Sequence, residues 1–186
     1  TLAEFVERAR ATPMGITYAT PGIGSSVHFA SELFARQAAV KLTHVPYKGA
    51  APAVADVMAG QVDASFATLG SVLPLVKSGK LTALAIAHPQ RSAQLPGVPT
   101  FAEAGFKDYA ADAWYGLLAP ASTPELVMAL LQREARAYVA STAGADKLRA
   151  LGMEPQVQCG DAFAQDVARE TAVWTQIAQQ LKLKID

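Results

Sequence analysis

Apolar positions along the first half of the chain switch between two periods. Thr1 to Arg10 carries Phe5, Val6 and Ala9 on one helical face. It opens on a threonine with Glu4 three residues on, the spacing of a capping box. Ile16–Thr20 reads as a strand, Ser26–Ala39 as a helix with Phe29, Leu33, Phe34 and Ala38 at helical spacing, and Thr43–Tyr47 as a strand. The pattern predicts a helix over Ala51–Ala59 closed by Gly60, a strand over Val62–Thr68, a helix over Ser71–Lys77 closed by Gly79, and a strand over Leu81–Ala87. Strands separated by single helices predict βαβ units and a parallel sheet.

The pattern then changes. Residues 88–99 hold Pro89, Pro96 and Pro99 and read as a loop, with a short helix expected over Thr100–Ala104. Asp112–Ala119, rich in large apolar residues, reads as a strand that Pro120 stops. Thr123 is expected to cap a helix running to about Ala140, with Pro124 at its first position. Further helices are expected over Ala143–Leu151 and from Asp161 to about Leu181, with a short extended piece at Pro155–Gln158 between them. The expected division is an α/β part over residues 1–111, a crossover strand over 112–120, and a helical part over 121–186.

Composition narrows the functional classes. Of 186 residues 51% are hydrophobic, which favours a packed sheet over a disordered chain. Sixteen basic residues balance sixteen acidic ones, so no general attraction draws nucleic acid. The longest uninterrupted apolar run, Leu126 to Leu131, is far too short to span a membrane. A single cysteine, Cys159, excludes an internal disulfide and a cysteine-rich metal site. His28, His44 and His88 lack metal-ligand spacing, and nothing in the sequence calls for a cofactor.

The candidate chemistry lies where the first strand stops. Thr20-Pro21-Gly22-Ile23-Gly24-Ser25-Ser26 is a glycine-rich turn leading into a helix. Unpaired backbone N–H groups of Gly24, Ser25 and Ser26, the two serine hydroxyls and the helix dipole suit an anion there. The alternative is plain turn chemistry with one serine as cap. The turn lacks the third glycine of a dinucleotide fingerprint. Tyr47 and Gly49 follow the second strand, with the backbone of Gly49 and Ala50 favoured over the Lys48 amine. Thr68 follows the third strand, where it or Ser71 could equally cap the next helix. No Gly-x-Ser-x-Gly elbow accompanies these serines, which weakens a serine-dependent hydrolase.

The motifs Gly24-Ser25-Ser26-Val27-His28-Phe29-Ala30-Ser31-Glu32-Leu33-Phe34, His44-Val45-Pro46-Tyr47-Lys48-Gly49-Ala50-Ala51-Pro52-Ala53, Ala59-Gly60-Gln61-Val62-Asp63 and Leu73-Pro74-Leu75-Val76-Lys77-Ser78-Gly79-Lys80-Leu81 stand in a telling order. Arg91-Ser92, Leu95-Pro96-Gly97-Val98-Pro99-Thr100, Glu103-Ala104-Gly105, Trp114-Tyr115-Gly116-Leu117-Leu118-Ala119-Pro120 and Leu151-Gly152-Met153-Glu154-Pro155 continue it. In this order and spacing the chain resembles the Bug family, the periplasmic solute-binding proteins of tripartite tricarboxylate transporters. The resemblance implies a non-enzymatic receptor of the type 2 periplasmic-binding-protein fold, whose partners are a small organic acid or amino acid and a membrane permease. It implies that residues 1–111 form the second lobe and that the C-terminal helices return to a first lobe. The N-terminal part of that lobe would be absent here. It implies binding at Thr20, Gly22, Gly24, Ser25, Ser26, Tyr47, Gly49 and Thr68. The competing expectation is a sensor or interaction domain that dimerises through the face the other lobe would cover.

Overall fold

The structure, a computed structural model, describes residues 1–109, 111 and 113–181. Three parallel strands in the order β2-β1-β3 form its centre: β1 (Ile16–Thr20), β2 (Leu42–Pro46) and β3 (Ala64–Ser65). Helices α1 (Leu2–Ala11), α2 (Ser26–Gln37), α3 (Ala50–Met58) and α4 (Leu69–Lys77) precede and connect them. The capping box forms as expected: Thr1 accepts from the Glu4 amide, and the Glu4 carboxylate returns to the Thr1 amine at 2.7 Å.

Strand alternation divides the side chains between two layers. Tyr18, His44 and Phe66 share one face, where Phe34 and Ala38 of α2, Leu2 and Val6 of α1, and Phe101 and Tyr109 close a largely aromatic core. Ala19, Val45 and Tyr47 face the other way, onto Ala53 and Val57 of α3. Asp63 ties this frame at its base: its carboxylate accepts from the Thr17 hydroxyl and amide at 2.7 and 3.0 Å and from Arg8 at 2.9 Å. The Thr17 donors, then Arg8, hold that carboxyl below the usual range.

Several expected elements come out differently. The strand expected over Val62–Thr68 shrinks to Ala64–Ser65, because only these residues pair with Tyr18 and Ala19 of β1. The chain then leaves the sheet, and α4 starts two residues earlier than expected. In place of a strand over Leu81–Ala87, only Ile86 pairs, bridging Thr100 in parallel. Composition favours a strand there, yet β3, the strand at that edge of the sheet, is only two residues long. The expected helix over Thr100–Ala104 is a single turn, with Ala104 N–H on the Thr100 carbonyl at 3.0 Å.

Asp112 lies outside the described residues, and residues 113–119 pair with no strand among the described ones. Pro124, with extended ψ 142, takes the cap position assigned to Thr123, and no side chain caps that helix end. The remaining helices are α5 (Glu125–Ala140), α6 (Thr142–Ala150) and α7 (Asp161–Leu181).

The chain divides into two compact units: Thr1–Ala113 with the end of α7 from Ile177, and Trp114–Gln176. Within the first, Gln180 of α7 accepts from Arg36 of α2 at 2.7 Å. Within the second, Trp114 donates to Glu170 at 2.7 Å and meets Phe163 edge-on. The second unit buries little: Tyr115, Leu117 and Leu118 are 72%, 73% and 76% exposed, and α5 has no buried residue.

The α5–α6 corner is its tightest joint. Ser141 ends α5, donates its hydroxyl to the Tyr138 carbonyl at 2.7 Å and accepts the Gly144 amide at 3.0 Å. A Cβ at Gly144 would collide with that carbonyl, a backbone atom that cannot swing aside. Gly144→Ala is therefore expected to destabilise the protein by about 1–3 kcal/mol. Thermal denaturation beside the wild type checks this, and an unchanged midpoint would contradict the packing.

Candidate functional site

Parallel pairing brings the C-terminal ends of β1, β2 and β3 to one edge, and α2, α3 and α4 each open there. Strand order 2-1-3 makes this edge a topological switch point, the usual ligand position of an open parallel sheet. All eight residues singled out from the sequence lie along it, in the turns or at the strand and helix ends that border them. Two backbone bonds lock the first two turns together: Tyr47 N–H to the Thr20 carbonyl at 3.0 Å and Gly49 N–H to the Pro21 carbonyl at 2.9 Å.

The first turn uses much of its polar capacity on itself. Thr20 is fully buried. Its Oγ1 lies 2.6 Å from His44 Nε2 and 3.2 Å from the Gly22 carbonyl, and accepts the Gly22 amide at 3.3 Å. Thr20 is thus part of the wall behind the turn. Ser25 caps α2: its hydroxyl accepts the His28 amide at 3.3 Å and donates to Gly22 O at 2.8 Å, while its own N–H reaches Gly22 O. Gly24, at φ 74, turns its N–H onto His28 Nδ1 at 3.1 Å. The expectation that the Gly24 and Ser25 amides stand open is therefore corrected, since neighbours within the turn occupy both.

Other donors at the edge remain open. The N–H groups of Ile23, Ser26 and Val27 at α2, Ala50 and Ala51 at α3, and Leu69 and Gly70 at α4 have no hydrogen-bond partner among the described residues. Ser26 is exposed, with its hydroxyl likewise unpaired among them. Seven backbone donors at three helix N-termini form an electropositive rim without a formal charge.

The later turns show a similar split between frame and rim. Tyr47 turns away with the α3 layer, and its hydroxyl donates to Asp56 at 2.7 Å. That bond, then burial, raises its pKa. Alternation from Val45 accounts for this orientation. Gly49, at φ 115, gives its amide to Pro21 and leaves open space where a side chain would stand. Thr68 occupies the cap position of α4 without a capping bond; its hydroxyl lies 3.4 Å from Ser71 Oγ, and Ser71 donates to the Thr68 carbonyl at 2.7 Å.

Behind the first turn stands a stack that the sequence reading underrated. His44 lies between Tyr18 and His28, with ring centroids at 4.9 and 4.0 Å. Tyr18 donates to Glu32 at 2.5 Å. Burial, then that bond, pushes the Tyr18 hydroxyl pKa up. Burial, then the neighbouring His28, lowers His44 to about 4, and burial lowers His28 as well. Both rings are thus neutral near pH 7. The sequence signal was available: His44 falls on the Tyr18 face, and His28 lies in the first turn of a helix entered through glycines.

No group of three or more His, Cys, Asp or Glu residues suited to a metal occurs among the described residues. No helix among them is long and apolar enough to cross a membrane.

Comparison with known proteins places the chain in a family. Residues 1–183 match the model described as "Tripartite tricarboxylate transporter family receptor". The chain is 31% identical over 184 residues to the protein BugT of Bordetella pertussis, covering 99% of this chain and 56% of BugT. It is 33% identical to a UPF0065 protein of Pseudomonas sp. strain P51, covering 98% of this chain and 54% of that one. The chain therefore spans about half the length of these relatives. Among solved structures, an R. palustris protein with adipate superposes with a TM-score of 0.90 at 31% identity, over 98% of this chain and 61% of that one. MatC from Rhodopseudomonas palustris with bound malate gives 0.77 at 28% identity, over 95% and 60%.

Proposed function

The chain belongs to the tripartite tricarboxylate transporter receptor family, the Bug proteins, and from that premise we propose that it captures a small carboxylate for a membrane permease. The observation that carries the reading is the rim of open N–H groups where α2, α3 and α4 begin. Such a rim binds an anion through dipoles and hydrogen bonds, without burying a lysine or arginine against it. In this reading Ser26, the Ile23, Ser26 and Val27 amides and the Ala50 amide contact the acid, and Gly49 leaves room for it. Thr20, Gly22, Gly24, Ser25, Tyr47 and Thr68 hold the turns in shape. Adipate and malate in two structural relatives support a carboxylate as guest.

Residues 1–111 act as the second lobe of a cleft-closing receptor, 112–120 as its crossover, and 121–186 as elements returning to the first lobe. The protein works in the periplasm and is not an enzyme.

The test is a thermal-shift and calorimetric screen of adipate, malate, other dicarboxylates and amino acids, using the full length that the gene encodes. An acid at 100 times its Kd should stabilise the protein by about 2.7 kcal/mol. Failure of every acid to bind would overturn the receptor role. The exposed apolar residues of the second unit favour one other reading, an interaction domain that pairs through that surface. A concentration-dependent dimer that binds no acid would establish it.

A further inference from the structure

One side chain at the proposed site carries more than the receptor reading assigns it, and this inference rests on that reading. The His28 residue is only 5% exposed, its ring stacked on His44 with centroids 4.0 Å apart. Its Nδ1 accepts the Gly24 amide at 3.1 Å, so Nδ1 bears the lone pair. The neutral ring then carries its one proton on Nε2. Glu32 one turn along α2, Tyr18 on β1 and His44 on β2 are the titratable groups of this cluster. Glu32 is bonded to Tyr18 and His44 to Thr20, so neither bond involves Nε2 of His28.

No group among the described residues accepts from Nε2–H. Nor is any side-chain polar atom among them both sealed from solvent and unpaired. The Nε2 edge of a nearly buried ring therefore reaches the surface, on the far side of the ring from the Gly24 amide. A donor at a solvent-accessible edge is open to a ligand oxygen in place of water.

We propose that His28 is a specificity-determining residue whose neutral Nε2–H donates a hydrogen bond to an oxygen of the bound acid. The glycine turn fixes the tautomer, and the stack fixes the ring plane. The donor is thus oriented before the ligand arrives, which limits the ordering cost of binding. Its chemistry also discriminates. A carboxylate or hydroxyl oxygen accepts from Nε2–H, whereas an ammonium there would oppose donor to donor. The position therefore selects the oxygen-bearing end of the ligand and disfavours an amino group at the same point.

The experiment separates the donor from the scaffold. In His28→Asn the amide oxygen stands near the place of Nδ1 and can keep the Gly24 bond, but nothing replaces Nε2–H. In His28→Gln the amide nitrogen stands near Nε2 and keeps a donor. Adipate and malate are titrated into wild type and both variants, with Gly24 amide exchange as the check on the turn. His28→Asn should keep Gly24 protected and lose about 5- to 10-fold in affinity, while His28→Gln stays within about 3-fold of wild type. Equal affinity for wild type and His28→Asn overturns the donor role while leaving the receptor reading intact. If wild type binds neither these acids nor any other in the screen, the receptor reading falls first and this inference with it. Should His28→Asn not fold, nitrogen-15 spectra of wild-type His28 decide. The expected result is a proton on Nε2 whose signal shifts and exchanges more slowly when adipate is added. A proton on Nδ1, or an Nε2 signal that ignores adipate, overturns the proposal.

Discussion

Phe34→Ala is expected to destabilise the protein by about 3–5 kcal/mol, the range for emptying a fully buried aromatic site. Phe34 is 0% exposed. Its ring lies 5.2 Å from Phe106, 5.4 Å from Phe101, 5.7 Å from Phe66, 6.2 Å from Tyr109 and 6.3 Å from Phe5, mostly in tilted or edge-on geometry. Each such pair contributes beyond the area it buries. The partners come from α1, the end of the sheet and the 101–109 segment, so no single neighbour can collapse into the hole without dragging its own element. Phe34→Leu keeps most of the volume and should cost much less, about 1.5 kcal/mol or below. Urea denaturation of the three proteins measures both differences. A loss under about 1 kcal/mol for the alanine variant would mean that this cluster does not hold the fold together. The consequence reaches the site, because Phe34 anchors the helix whose first turn supplies the open Ser26 and Val27 amides of the rim.

How far the chain could be read without coordinates depends on how local each interaction is. The Thr1–Glu4 box, the helical spacing of Phe29, Leu33 and Phe34 and the long α7 pattern are local, and their elements form nearly as expected. Val62–Thr68 and Leu81–Ala87 have strand composition, but a strand exists only where a neighbour offers its edge, and composition does not reveal the edge. The site divides along the same line. Glycines and serines after an apolar strand announce a helix N-terminus, so the turn was legible. Which of its donors stay open was not, because His28 reaches back four residues to take the Gly24 amide and Gly49 spends its own on Pro21. Tyr47 misleads for a simpler reason. It follows the right strand, but alternation from Val45 sends it to α3 and Asp56.

Stability should also fall as pH drops from about 6.5 toward about 4, a window set by the stacked histidines. Burial, then the neighbouring His28, takes His44 from 6.5 down to about 4, and His28 moves in the same direction. A depressed folded-state pKa means that the unfolded chain takes up the proton first as pH falls. The stabilisation is therefore complete above the unfolded value near 6.5 and lost as pH falls through the folded one. The slope cannot exceed about 1.4 kcal/mol per pH unit for each histidine. For His44 the full window sets a ceiling of about 3 kcal/mol, which solvent at the open side of the ring reduces. Protonating His28 would also remove the lone pair that holds the Gly24 amide, and a charge on each ring would set two cations face to face. The carboxylates of Asp63 and Glu103 are held below their ordinary values of 3.8 and 4.5, so the loss of their contribution begins only at the acid end of this window. Urea titrations at half-unit steps from pH 7.5 to 4 should show the decline in wild type. His44→Gln, which keeps an amide beside Thr20 but cannot titrate, should flatten part of it. A wild-type curve level down to pH 4.5, or a variant with the same slope, would mean that the stack takes up its protons as readily folded as unfolded.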